Sequence, residues 1–112
     1  KSFQIPHPTE EEMMLRHGSL EGPEHGVYIR GHAKGNTIDL PEYWSGLVDE
    51  ESITVQITPN LSSQALYVKS VNSERVLIGR EDGDSIDCFY FIQAERKDVG
   101  KMEVEYCDSS ST

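Results

Sequence analysis

Short runs in which apolar and polar residues alternate, each ended by a turn signal, constrain this chain more than any other feature. On extended backbone successive side chains point to opposite faces, so a period of two demands half-buried strands. Residues 53–59 are the plainest case: Ile53, Val55 and Ile57 share one face, and Thr54, Gln56 and Thr58 share the other. Similar runs lie at residues 2–5, 27–33, 37–40, 66–71, 75–78 and 102–106. Breaks fall at Lys34-Gly35-Asn36, Pro41, Asn72-Ser73-Glu74, Glu81-Asp82-Gly83-Asp84 and Glu95-Arg96-Lys97-Asp98. Strands recurring roughly every eight to twelve residues with turn residues between them predict an all-β domain, an antiparallel β-sandwich or barrel-like fold.

Helical periodicity is scarce, and one or two short helices are expected. Thr9 followed by Glu10-Glu11-Glu12 and Met13-Met14-Leu15 has the form of a capping box before one or two turns. Pro41-Glu42-Tyr43-Trp44, with Leu47 and Val48 at helical spacing, predicts a second helix covering an end of the sheet. Residues 86–94 are apolar on both faces, which predicts a central strand covered above and below. Its successor at 102–106 should form the last hairpin, and two registers are open. If Glu95 opposes Gly100, Cys88 faces Cys107; a shift of one residue separates the sulfurs. The first is preferred, with both thiols reduced. A single domain over residues 1–107 and a disordered polar tail over 108–112 complete the expected layout.

The formal net charge of -10 at pH 7 argues against nucleic acid, whose phosphates are met by clustered Lys and Arg. No apolar run approaches the roughly 20 residues of a membrane span. The first residue is Lys1 rather than Met, so a longer parent polypeptide is expected. Two cysteines are too few for a disulfide scaffold or a cysteine zinc site.

The unusual chemistry gathers at residues 17–31. Glycines 18, 22, 26 and 31 and Pro23 mark a shaped loop running into a strand with Val27 and Ile29 on one face and Tyr28 and Arg30 on the other. Gly22 and Gly26 are expected to serve the fold, with Gly22 a candidate for φ > 0. The candidate binding or interface residues are His17, Glu21, Glu24, His25, Tyr28, Arg30, Tyr43 and Trp44. Glu21 and Glu24 form the carboxylate pair that glycoside hydrolysis would use, and the simpler reading has them accepting loop N–H groups. Tyr28, Tyr43, Trp44 and Tyr67 are candidates for a sugar-stacking platform, with core packing as the alternative for Tyr43 and Trp44. Ser19 lacks a nucleophile elbow or oxyanion element. His25 and His32, seven apart, fall on opposite faces of a regular strand, so no metal site is expected. Neither a catalytic residue nor a cofactor is assigned.

Taken together, residues 1–8, residues 17–30 with Leu20-Glu21-Gly22-Pro23-Glu24 at their centre, residues 40–44 leading into 53–59, and Cys88-Phe89-Tyr90-Phe91 with residues 94–99 are distinctive. In this order and spacing they resemble the C-terminal domain of long virion structural proteins, the tail-fibre proteins of marine bacteriophages of the cyanophage type. The resemblance runs from Lys1 to about Tyr106. It implies a virion component made in the host cytoplasm, a distal fibre or appendage domain. It also implies a homotrimer meeting other virion proteins and supporting host-surface attachment, with a host glycan as the candidate ligand. The Ser-Asp start and Leu-Lys element of self-cleaving fibre chaperones are absent from the sequence. The remaining alternative is a glycan-binding, glycan-cleaving or self-processing domain centred on residues 17–31. Trimer assembly would place that loop at or near a subunit interface, with Arg30 offsetting acidic neighbours such as Glu24.

Overall fold

The computed structural model describes residues 2–108. Two three-stranded antiparallel sheets share one core. The first has the order β3-β8-β5, from Gly26–Lys34 (β3), Asp87–Glu95 (β8) and Thr54–Pro59 (β5). The second has the order β4-β7-β6, from Thr37–Asp39 (β4), Arg75–Arg80 (β7) and Leu66–Val71 (β6). A separate ribbon pairs Ser2–Pro6 (β1) with Met14–Gly18 (β2). The all-β class expected from the alternation is what the chain adopts, and the expected strands at 27–33, 37–40, 53–59, 66–71 and 75–78 all form. Gly35, in the turn from β3 to β4, has φ +118°, which L side chains rarely adopt.

The core draws on both sheets. Val27, Ala33, Cys88, Ile92 and Ala94 come from the first, and Ile38, Val76 and Ile78 from the second. The helix expected after Pro41 is present as a single turn, Trp44–Leu47 (α1), followed by a 3-10 turn at Glu50–Ser52. Trp44 and Leu47 are fully buried. The Nε1 of Trp44 has no hydrogen-bond partner, a cost of about 1–3 kcal/mol. Burying an indole of roughly 200 Å² offsets it, at about 25 cal/mol per Å². Trp44 is therefore a core residue and is removed from the interface and sugar-platform candidates.

The structure corrects four further expectations. The first helix does not form: β2 begins at Met14, and Glu12 has φ +63°. His7 organises this turn instead, its Nδ1 accepting the N–H groups of Thr9 at 3.2 Å and Glu10 at 2.9 Å. Leu15 is then the single buried residue of β2. Second, β8 is central in its sheet but covered on one face only. Cys88, Ile92 and Ala94 are buried, while Phe89 on the opposite face is 49% exposed.

Third, the last hairpin is absent. β8 is flanked by β3 and β5, so no place beside it is open, and residues 100–108 form no strand and are all exposed. Both registers fall with the hairpin: Cys88 is buried opposite Ala33 and Pro59, Cys107 is exposed, and both thiols are free. Fourth, Gly22 is not at positive φ, and a Cβ there would meet nothing within 4 Å. Steric demand for glycine falls instead on Gly31, where a Cβ would lie 2.6 Å from the Tyr90 hydroxyl oxygen, and on Gly46, where it would lie 2.8 Å from Pro8 Cβ. Of the tail expected over 108–112, residues 109–112 lie outside the described residues.

The radius of gyration is 17.2 Å, against about 13 Å for a compact domain of this length. Among the described residues no helix is long and apolar enough to cross a membrane.

Candidate functional site

Pairing between β3, β8 and β5 sorts their side chains into two sets. One set enters the core, and the other forms rows across the outer face of the sheet. Tyr28 stands opposite Gln93 and Gln93 opposite Thr54; Arg30, Phe91 and Gln56 make the next row; His32, Phe89 and Thr58 the third; Lys34 and Asp87 the last. Such cross-strand neighbours interact directly, and diagonal ones are within reach of large side chains. The rings of Tyr28 and Phe91 stack with centroids 5.2 Å apart and planes 11° from parallel. His32 and Phe89 pack at 5.0 Å and 44°. A shallow hollow of about 600 Å³ lies over Arg30, His32, Gln56, Thr58, Phe89 and Phe91.

The polar end of this face is held rigidly from behind. His32 Nε2 bonds Asp87 Oδ1, and Asn60 Nδ2 donates to the same oxygen at 3.2 Å. Gln64, the buried polar residue here, clamps the backbone of Asp87: its Oε1 accepts the Asp87 N–H at 3.0 Å, and its Nε2 donates to the Asp87 carbonyl at 2.8 Å. Bonding from His32, aided by Asn60, holds the Asp87 carboxyl below the usual carboxylate range against a smaller opposing effect of desolvation. Burial, reinforced by the Asp87 charge, pushes the neighbouring Cys88 thiol up, so it is a poor nucleophile.

Tyr28 and Arg30 alone among the expected site residues belong to this face. Glu21 and Glu24 lie in the exposed loop between β2 and β3, where residues 20–24 enclose a hollow of about 220 Å³ with Tyr28 and Gln93. Tyr28 is thus common to the loop hollow and the sheet face. His25 is half-buried, and its carbonyl accepts the Arg96 N–H at 2.8 Å. His17 is the penultimate residue of β2 and packs between Phe3, stacked at 5.2 Å, and Tyr43, edge-on at 5.6 Å. Tyr43 is half-buried, and burial raises its phenol pKa. These two serve to dock the ribbon on α1, where His7 also meets Tyr43 at 5.6 Å.

His32, Phe89, Phe91, Gln56 and Asp87 were not among the expected site residues. Their signal was present in the parity of the strands, since even positions of β3 and odd positions of β8 share the outer face. Treating residues 86–94 as covered on both sides concealed it. Exposed ring faces beside guanidinium, imidazole, amide and hydroxyl groups suit a ligand with apolar C–H faces and many hydroxyls. Among the described residues no group of three or more His, Cys, Asp or Glu is placed to hold a metal ion. No family model, curated protein or solved structure matches the chain.

Proposed function

We propose that this chain is a structural and attachment module at the end of a virion tail fibre. In this reading it assembles as a homotrimer, meets other virion proteins, and presents the outer face of the β3-β8-β5 sheet to a host-surface glycan without catalysis. The observation that carries the reading is an aromatic face left open on the best-supported sheet of the fold. Phe89 is 49% and Tyr28 41% exposed, although β8 has strands on both sides and its opposite face is core. The sequence resemblance supplies the biological setting.

The test is a glycan array probed with the full chain and with Tyr28→Ala and Phe89→Ala, each checked for folding by circular dichroism. Retention of a host polysaccharide by the parent chain and its loss in both variants are expected. Equal retention by the variants would contradict a role for the face. Hydrolysis of that polysaccharide, abolished by Glu21→Gln or Glu24→Gln, would replace this reading with a glycan-cleaving one.

A further inference from the structure

We infer that residues 102–106 are a β-strand donated to the free edge of β3 in a second copy of this chain, an inference that rests on the homotrimer reading above. The segment Met102-Glu103-Val104-Glu105-Tyr106 alternates strictly. Its apolar members are nevertheless exposed, Met102 by 38%, Val104 by 58% and Tyr106 by 74%. A strand pattern of this kind gains little in water until a neighbouring strand takes its backbone groups and a sheet face takes its side chains.

The strand before it in sequence, β8, offers it no place. Both sides of β8 are filled by β3 and β5. The chain leaving β8 is also tied toward α1 and the start of β5: Arg96 bridges Val48, the Lys97 N–H donates to the Leu47 carbonyl at 2.8 Å, and Lys101 Nζ holds Glu95 Oε1 at 2.6 Å. The Arg96 N–H also donates to the His25 carbonyl at 2.8 Å, on the β8 side of β3.

An acceptor with matching chemistry exists on every copy. β3 is nine residues long, ends its sheet, and contains no proline with which to discourage pairing. Its core-side residues include Ile29, which is only half-buried, and its outer residues include Arg30 and Lys34. Place Val104 opposite Gly31 in either strand direction, and Met102 and Tyr106 extend the core face beside Ile29 and Ala33. Glu103 and Glu105 then fall on the outer face opposite Arg30 and His32. In a chain of net charge -10, this contact sets an acidic residue against the Arg30 cation, with Lys34 one outer position further along β3. Donation from each copy to the next is head-to-tail, and such contacts close into a ring when the rotation allows, as three copies require.

The experiment is light scattering on the full chain and on two full-length double variants, Glu103→Lys with Glu105→Lys, and Arg30→Glu with Lys34→Glu. The combination of all four changes is measured alongside. The parent chain is expected as a trimer, each double variant as a monomer of unchanged circular dichroism, and the fourfold variant as a trimer again. A chain ending at Lys101, which removes no buried residue among those described, should also be monomeric. A parent trimer that persists through the double variants and the truncation would overturn strand donation and leave the homotrimer standing. A parent chain that stays monomeric at high concentration would overturn both.

Discussion

Residues 2–5 near one end of the chain and residues 102–106 near the other alternate in the same way, yet only the first set has found a place. Phe3 and Ile5 of β1 pack against the core, and the Arg96 guanidinium carbon lies 4.0 Å from the centre of the Phe3 ring. Met102, Val104 and Tyr106 face solvent. Alternation makes a segment competent to be a strand, but a neighbour must supply the backbone partners. β1 reaches β2 through a short connection from Pro6 to Met14, which costs little loop entropy. For residues 102–106 the adjacent strand in sequence is β8, whose two sides are already taken. A strand pattern that β8, its neighbour in sequence, has no side left to accept is the feature the assembly proposal uses.

The sharpest way to break the comparison is to undo the anchored end. Leu15 is the buried residue of the ribbon, and Leu15→Ala should cost about 2–5 kcal/mol in denaturant unfolding. A loss under about 1 kcal/mol would mean that the ribbon is no better anchored than the far end. Next in size is Gly46→Ala, which brings a Cβ to 2.8 Å from Pro8 Cβ and 3.1 Å from its carbonyl oxygen. Overpacking there should cost about 1–3 kcal/mol and loosen the ribbon from α1, seen as faster amide exchange in β1 and β2.

Acid should act on the body of the fold. Asp82 is held below its ordinary pKa first by the Ala65 N–H and then by Arg80, Asp87 first by His32, and Asp98 first by Arg96. Each carboxyl has a depressed folded-state pKa, so the unfolded chain binds more protons as pH falls through the usual range near 4. Stability from these groups is complete above that range and lost below it. Thermal unfolding followed from pH 6 to pH 2.5 should show a falling midpoint, and a flat profile would contradict the bonding described. The smallest effects belong at the unanchored end and in the loop. Val104→Ala should change unfolding of the full-length monomer by no more than about 0.5 kcal/mol when measured at low protein concentration, and Gly22→Val should be similarly mild. A loss above 1 kcal/mol at Val104 under those conditions would show that the segment is packed within its own subunit.

The strand pattern was legible in the sequence because burial on one face leaves a period-two signature, and β3, β5, β6 and β7 are found where that signature lies. What the pattern does not carry is a count of neighbours. Residues 86–94 are apolar at nearly every position, and that apolarity predicts double coverage, whereas the outer side chains Phe89 and Phe91 remain accessible. The candidate site was legible in Tyr28 and Arg30 and hidden in the residues that β8 and β5 bring beside them. Trp44 misled in the opposite direction: an aromatic next to Tyr43 suits a surface platform as well as a core, and only its complete burial in the common core decides. Thr9 and Glu12 have the form of a cap, but Glu12 takes φ +63°, outside the helical region, and β2 begins at Met14.

The central claim is that what one subunit leaves uncovered is covered by another, and hydrogen exchange on the full chain tests it most directly. At concentrations where the chain is assembled, the backbone amides of residues 103–106 and of the outer edge of β3 should exchange slowly, and both sets should become fast together on dilution. Fast exchange of residues 103–106 in the assembled chain, at the rate of an unstructured peptide, would contradict the account.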